Sequence, residues 1–425
     1  MKYSVHRTNR NFYDYSIILL LALVSFGNIG GALQPIRFLG IFFLPFIVVW
    51  VVFKKHSPKL QKIIFLLIVW YLYLALSISW TIDKEQGFKE LFYYLVHFTN
   101  FFMLIAWAEK ANKPKQSIIM GWILVLVLTL PIALYEIITQ NHLYTDTFTD
   151  ELLYIGGEAL AYRRASVTFG NLNAYVLILV FSAPFLLSAM FKAKRKRLLG
   201  LLVIFGALMY TLLVNASRGG IISILLILAT YVFYKKISST SISIKKIIIR
   251  TFAFTIIAYV INRVFSVSDE IFVKLLSRSE SGASSFTSDS PRFQIWEASY
   301  RVILDTYFLG SGVGSEVPIL TKYNASVPNT HNLFIELFMQ FGVFIFIGFI
   351  YILFRIYYSG IKFGSTEYKV AILGSFLSLL PLSIINSSYL LMPALWVYLS
   401  SLYILSDSWD FFQKNQKYSL VKNID

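Results

Sequence analysis

The sequence predicts an all-α polytopic membrane protein, a single transmembrane domain over residues 1–425 built from about twelve membrane-spanning helices. Three observations predict it. The chain is 57% hydrophobic and only 14% charged, against roughly 25% charged residues in a soluble domain, so too few polar side chains remain to coat a water-facing globule. Apolar runs of membrane-crossing length recur along it. Basic residues collect in alternate loops between those runs.

Crossing the hydrocarbon core takes about 20 mostly apolar residues. The candidate runs are 15–33, 38–53, 63–80, 91–108, 117–138, 174–191, 198–215, 219–234, 251–265, 332–354, 370–385 and 389–406. The first is not expected to be a cleaved signal peptide, because more spans follow it at once and no small-residue cleavage site stands out. The 38 Phe, 27 Tyr and 8 Trp suit a chain whose rings anchor helices at both lipid interfaces. With no cysteine, disulfides, thiolate metal sites and cysteine nucleophiles are excluded. The net charge of +16 would suit nucleic acid if it formed a patch. Its placement in short loops makes it a topology signal instead, and no nucleic-acid partner is expected.

Charge orients the bundle. With the N-terminus (Lys2, Arg7, Arg10) inside, the inner loops carry Lys54, Lys55, Lys59 and Lys62, then Lys110, Lys113 and Lys115, then Lys192 to Arg197. Lys235, Lys236, Lys245, Lys246 and Arg250 follow, and then Arg355, Lys362 and Lys369. The outer loops are short, neutral or acidic, as in Asp83 to Glu90. The alternation follows the positive-inside rule and predicts a multi-pass protein of a bacterial cytoplasmic (inner) membrane, with both termini cytoplasmic.

Two outer segments are long: 139–173 and 266–331. Long loops in compact proteins are functional or disordered. Within the second, Ser277 to Ser290 is Ser-rich and of low complexity, and Pro291 then opens an amphipathic helix with Phe293, Trp296, Tyr300, Ile303 and Leu304 near one face. Gly310 to Gly314 (GSGVG) reads as a turn; it lacks the strand context and the Lys-Ser/Thr ending of a phosphate loop.

Several polar residues stand where lipid or the charge rule disfavours them. Arg218 lies in Asn215 to Gly220 (NASRGG), between two apolar runs that leave almost no loop. A cation there is expensive unless it faces a cavity or a partner, and the flanking glycines allow close backbone approach. The alternative is a snorkelling topology residue, which belongs inside, whereas the charge pattern puts Arg218 outside. Arg292 opens the amphipathic helix, where a surface arginine is ordinary. His331, in Pro328 to Asn332 (PNTHN), precedes a long apolar helix, and a capping cluster in which Asn329 or Thr330 satisfies the first amides explains the segment equally well. Among the histidines, His6 and His56 fall inside, His97 within a span and His142 in the first outer loop; His331 is the one best placed for chemistry at the outer surface. Arg163 and Arg164 end the first outer loop, and suit either an anionic ligand or lipid headgroups.

These residues carry a resemblance. The order of Arg164 to Asn173 (RASVTFGNLN), Ser217 to Gly220 (SRGG), Pro291 to Trp296 (PRFQIW), Gly310 to Gly314, Thr330 to Asn332, Glu336 and Phe341-Gly342 resembles the O-antigen ligase and Wzy-type polysaccharide polymerase superfamily of bacterial surface-glycan enzymes. The likeness is strongest over roughly 160–350, and the first motif lacks the proline often seen between its two asparagines. The resemblance implies a GT-C-like membrane glycosyltransferase that takes a polyprenyl-pyrophosphate-linked oligosaccharide on the outer face and transfers the glycan to an acceptor hydroxyl, with no cofactor and no metal. It implies that Arg218 and Arg292 hold the pyrophosphate and that His331 serves the acceptor. Arg163, Arg164, Asn173 and Asn332 are the candidate substrate-binding residues.

The residue types suit that chemistry. Pyrophosphate is already a good leaving group, so the need is for charge stabilisation, which arginine's planar fork provides at any working pH. Histidine is the usual acceptor of a hydroxyl proton, and attack opposite the leaving group inverts the anomeric centre. Metal chemistry would want clustered carboxylates, whereas Asp289, Glu297, Asp305 and Glu316 are scattered along the chain; metal independence is the expectation. Glu297 or Glu336 could orient an arginine or the histidine. Tyr144, Tyr154, Trp296 and Tyr300 are candidates for stacking on sugar rings, or are lipid anchors.

The lipid bilayer and the lipid-linked oligosaccharide are the expected partners, with a flippase and a chain-length regulator of the same pathway as further candidates. Three functions stay open: a polymerase of capsule, exopolysaccharide or O-antigen repeat units; a ligase that moves a finished glycan to another acceptor; and a lipid-linked oligosaccharide transporter. A transporter should show internal repeats around a midplane site, and none is evident. The Ile-, Lys-, Phe- and Tyr-rich composition is that of an AT-rich genome, common among Gram-positive bacteria without lipid A, which favours the polymerase.

Overall fold

A computed structural model describes residues 9–143, 152–155, 158–161, 164–238, 291–323, 325 and 329–406. The protein is a helical bundle. The first helix, α1 (Phe12–Ala22), runs on through a 3-10 turn (Leu23–Phe26); α2 (Pro35–Phe53), α3 (Pro58–Ser77), α4 (Lys84–Lys110) and α5 (Pro114–Thr139) follow. A short antiparallel hairpin, β1 (Leu152–Ile155) and β2 (Glu158–Ala161), pairs Leu152 with Ala161 inside the 139–173 segment. Then come α6 (Leu172–Phe191), α7 (Arg195–Val214) and α8 (Arg218–Ser238). Beyond residue 290 lie α9 (Pro291–Asp305), α10 (Glu316–Lys322), α11 (Leu333–Phe363), α12 (Thr366–Leu377), α13 (Leu379–Ser383) and α14 (Pro393–Leu405).

Among the described residues, eight helices are long and apolar enough to cross a membrane: α2 to α8 and α11. The apolar run near the N-terminus and the last run form shorter apolar helices, Phe12–Phe26 and Pro393–Leu405. The 370–385 run divides into α12 and α13. The expected span 251–265 and the Ser-rich stretch 277–290 lie outside the described residues.

Local chemistry starts these helices where the loops end. Asn11 and Asp14 form a capping box on α1, Asp83 caps α4, and Ser57 accepts the Leu60 amide ahead of Pro58. Pro35, Pro58, Pro114 and Pro393 each open a helix, where the missing N–H costs nothing. The burial of each span then sets its place. The apolar stretch of α6 is 94% buried and packs against α5, α7, α8 and α12, so α6 is the central helix; that of α2 is 22% buried, so α2 is peripheral. An aromatic cluster of Trp70, Tyr94, Phe98, Phe341 and Trp396 ties α3, α4, α11 and α14 together through edge-to-face contacts.

Loops assigned by charge to the same side meet in the structure. At one end, Asn11 Nδ2 donates to Lys110 O (2.7 Å), Lys59 Nζ to Ser359 Oγ (2.6 Å), Lys192 Nζ to Glu367 (2.8 Å) and Lys235 Nζ to Phe191 O (2.7 Å). At the other, residues 27–34, 164–171, 307–316, 329–332 and 384–392 are linked to one another or to the adjoining helix ends by the bonds described below.

The amphipathic helix α9 buries only part of the apolar face read from its sequence, Ile303 and in part Trp296. Ile295, Ala298, Val302 and Ile303 are buried with Ile319, Leu320 and Met339, whereas Phe293, Tyr300 and Leu304 are exposed, Tyr300 by 59%. The helix carries two apolar stripes, and the smaller side chains of one fit against α11 and α10.

Helix α11 is broken at Gly342, which has φ +72°. The loop before α10 docks into the break. Val343 N donates to Phe308 O (2.9 Å), Ser311 N to Met339 O (2.9 Å) and Gly312 N to Gln340 O (2.9 Å). A Cβ on Gly342 would lie 2.4 Å from the Leu309 carbonyl. Gly342→Ala is therefore expected to cost at least about 1–3 kcal/mol for the left-handed backbone alone, and to lower the thermal midpoint of the detergent-solubilised protein. An unchanged midpoint would show that the break is not what holds the loop.

Candidate active site at the loop-bearing end of the bundle

The irregular segments at this end are pinned to buried glutamates on neighbouring helices. Glu136, near the end of α5, accepts the Ser166 and Val167 amides (2.8 and 2.9 Å) and the Leu143 amide (3.1 Å), and lies 3.5 Å from His142 Nδ1. It thereby holds the first motif. Asn215 clasps the same motif, donating to Ala165 O and accepting from Ala165 N, both at 2.9 Å, and so joins it to the Ser217–Gly220 turn. Arg164 is buried here. Arg163 lies outside the described residues. Asn171, not Asn173, caps α6, accepting from the Asn173 and Ala174 amides (2.8 and 3.2 Å).

The Gly310–Gly314 turn is fixed against α3, α4 and α11, and its contacts are structural. Gly314 N donates to Glu90 (3.1 Å), Val313 N to Ser77 Oγ (3.0 Å) and Trp80 Nε1 to Gly310 O (3.1 Å). Its amides face protein, in agreement with reading it as a turn and not as a phosphate loop.

The turn leads into α10, whose Glu316 receives both the amide and the hydroxyl of Thr330 (2.8 and 2.9 Å). Trp296 of α9 donates to Thr330 O (3.0 Å), and Asn332 caps α11 by accepting the Phe334 and Ile335 amides (3.0 and 3.2 Å). The cap is thus Asn332, where Asn329 or Thr330 was expected, and its side-chain oxygen is already committed. Between Thr330 and Asn332, His331 takes a left-handed conformation (φ +47°). Its Nδ1 is buried without a hydrogen-bond partner. Burial, and then the positive charge of Arg292, hold the imidazole below its usual value of 6.5. Burial pushes the Glu316 carboxyl above the usual carboxylate range, opposed by the two bonds from Thr330.

The segment 384–392 completes this end. Glu336 of α11 accepts the Tyr389 and Leu390 amides (2.8 and 3.2 Å), and Ser388 Oγ reaches Asn329 (3.5 Å). Leu391 O accepts from Arg37 (3.2 Å) and lies 3.0 Å from Nε2 of the buried His97. Arg218, the first residue of α8, is exposed. Its neighbour Gly219 has no Cβ, and one there would lie 3.1 Å from both Pro381 O and Ile385 Cγ1; a Cβ on Gly220 would lie 2.7 Å from Val176. Glycine therefore lets the start of α8 close onto α6, α13 and the 384–392 segment. The structure brings Arg292 and His331 together, and brings Arg218 to the same end through the 384–392 segment.

Sequence reasoning missed Glu90, Glu136 and Arg37, the role of Glu316 and the whole 384–392 segment, which had been divided between two spans. The signal was present: acidic residues within or next to apolar runs, and Asn386 to Tyr389 (NSSY) between them. Glu297 pairs with Arg301 on the exposed side of α9 (2.6 Å), and Glu336 holds the Tyr389 and Leu390 amides. Glu90, Glu316 and Glu336 gather at this end although they are far apart in sequence, each receiving N–H donors. Among the described residues, no three His, Cys, Asp or Glu side chains are arranged to hold a metal ion. Of the stacking candidates, Trp296 is half-buried and Tyr300 exposed; Tyr144 and the Tyr154 side chain lie outside the description.

Residues 200–350 match the family model described as O-antigen ligase, a stretch that includes Arg218, Arg292, the glycine turn, His331 and Gly342. The chain is also similar to the teichuronic acid biosynthesis protein TuaE of Bacillus subtilis (strain 168), 23% identical over 363 residues that cover 82% of this chain and 72% of that protein. The match of 200–350 falls on the segments that build the loop-bearing end, so the chain is a polytopic helical membrane protein that over this stretch is similar to the O-antigen ligase family.

Proposed function

We propose that this protein is a membrane glycosyltransferase of surface-polysaccharide assembly, which polymerises polyprenyl-pyrophosphate-linked oligosaccharide units on the outer face of the cytoplasmic membrane. The observation that carries the reading is the meeting of residues 292 and 331 at the end of the bundle where Arg218 also lies, with burial and then the charge of Arg292 lowering the imidazole's pKa. Its backbone is held from both sides by Glu316 and by the Asn332 cap. TuaE carries teichuronic acid biosynthesis in its name, which supports a surface polymer as product.

In this reading the acceptor hydroxyl attacks the anomeric carbon of the donor. The bond from that carbon to the pyrophosphate oxygen breaks, polyprenyl pyrophosphate leaves with the bonding pair, and the hydroxyl proton passes to His331. Arg218 and Arg292 neutralise charge on the leaving pyrophosphate, where each well-placed donor contributes roughly 3–4 kcal/mol. Arg292 acts twice, because the charge that binds the phosphate also adds to the effect of burial in lowering the His331 pKa. The family model's description favours a second reading, ligation of a finished glycan to a different acceptor, by the same step.

Purified protein given a polyprenyl-pyrophosphate oligosaccharide in EDTA should yield a ladder of lengthening lipid-linked products. Arg218→Ala and Arg292→Ala should each slow transfer about 10²–10³-fold, and His331→Ala about 10²–10⁴-fold. A single transfer that appears only with an added acceptor indicates the ligase; no transfer by well-folded protein, with metal restored and several donors and acceptors, refutes the enzyme.

The acid limb of the pH–rate profile tests the coupling of Arg292 to His331. A base with a lowered pKa stays active below pH 6.5 and loses activity as pH falls through that lowered value. Arg292→Gln removes one cause of the lowering, so the limb should move to higher pH, in addition to the drop in rate. A limb that stays in place would exclude His331 as the titrating base under the influence of Arg292.

A further inference from the structure

A cavity of about 60 Å³ lies between the start of α2, the first motif and the end of the 384–392 segment, lined in part by Asn28, Gln34, Arg37, Phe169, Leu391 and Met392. It shares its wall with the site above: Leu390 donates to Glu336, and the next residue, Leu391, accepts from Arg37. Asn28 Nδ2 donates to Phe169 O (2.6 Å), tying the cavity to the first motif.

Among the described residues, no carboxylate neutralises Arg37. It donates to Leu391 O (3.2 Å) and lies over the Tyr93 ring (4.2 Å), while its Nε is buried without a partner. The residue also sits in the first turn of α2, which starts without a side-chain cap. The positive end of a helix disfavours a cation and favours an anion, and a cation in a spanning helix is expensive unless something answers it. By the charge alternation, Arg37 moreover lies on the side where positive residues are disfavoured.

A second atom is left over, and of opposite kind. Gln34 is only 6% exposed and lines the same cavity; its Nε2 donates to Asn28 Oδ1 (3.1 Å), but its Oε1 has no partner. A buried acceptor left unsatisfied loses the hydrogen bonds it would make in water. The cavity therefore asks its ligand for two things side by side: an anionic oxygen for the guanidinium and a hydroxyl proton for Gln34. Pyrophosphate supplies the first and not the second, and a neutral sugar the second and not the first. A hexuronic acid offers both, as a carboxylate and ring hydroxyls on one pyranose, with apolar ring faces to suit Phe169, Leu391 and Met392. The volume admits a few water-sized groups, which fits a carboxylate with a neighbouring hydroxyl and not a pyrophosphate with its glycan.

We propose that the Arg37–Gln34 cavity is a sugar subsite that selects a uronic-acid residue in the glycan substrate, its carboxylate on Arg37 and a hydroxyl on Gln34 Oε1. This rests on the glycan-transfer reading for its substrate class, but its test does not require transfer. Binding of a hexuronic-acid-containing oligosaccharide and of its carboxyl-reduced counterpart to the purified full chain is measured by calorimetry. The acidic probe should bind about tenfold tighter, equivalent to about 1.4 kcal/mol. Arg37→Gln should erase the difference and Arg37→Lys keep part of it, since a lysine retains the charge without the fork. Gln34→Glu should also erase it, by setting a carboxylate of the protein beside Arg37 where the ligand's would bind; this variant keeps Arg37 and guards against a loss that is merely one of folding. Equal binding of the two probes, binding of neither, or a preference that survives either Arg37→Gln or Gln34→Glu overturns the subsite. A chain that transfers glycan without such a preference refutes the subsite alone, and one that shows the preference but transfers nothing refutes only the transfer reading.

Discussion

Buried glutamates that accept backbone amides are the interaction on which the loop-bearing end depends. Irregular backbone near membrane depth survives only where protein satisfies its N–H groups, because lipid cannot. Here Glu136 holds Leu143, Ser166 and Val167, Glu90 holds Gly314, Glu316 holds Thr330, and Glu336 holds Tyr389 and Leu390. A carboxyl group is well suited to this, since its two oxygens can gather several donors. Each loop is thereby fixed to a helix, and the helices fix one another through the α6-centred core.

The same arrangement explains how reactive groups can stand at the edge of an apolar bundle. His331 is a single residue between two anchored neighbours, Thr330 on Glu316 and Asn332 on the start of α11. Its left-handed backbone is tolerable because those neighbours leave it little choice. Burial and the adjacent Arg292 then act in one direction on the imidazole, towards the neutral form that can accept a proton. The cation that would bind a leaving phosphate and the base that would receive the acceptor's proton thus support each other.

Glycine plays the complementary part. Gly310, Gly312 and Gly314 all have positive φ and sit where a Cβ would lie within 3 Å of backbone on α11, α3 or α4. Gly342 opens α11 to receive the loop that carries them, and Gly219 lets α8, with Arg218, close onto the 384–392 segment. Loop docking and helix breaking are therefore two sides of one contact, and they bring segments around residues 90, 310, 340 and 390 to a common end.

By itself the sequence determined the membrane class, the places of most helices, the sorting of loops onto two ends and the motifs that resemble those of a known family, because hydropathy, loop charge and motif order are local properties. It could not determine what the polar residues inside those helices do. Glu90, Glu316 and Glu336 are scattered along the chain and meet only after α4, α10 and α11 pack, and Arg37 finds Leu391 across 354 positions. The inward face of α9 was likewise undecidable, since two apolar stripes were available and only the shape of α11 and α10 selected Ile295, Ala298 and Val302 over Phe293, Tyr300 and Leu304. That Asn332 caps α11 through its side-chain oxygen was also settled only by the placement of that helix. Local pattern decides which segments enter the membrane; long-range packing decides which buried polar groups answer one another and which are left for a substrate.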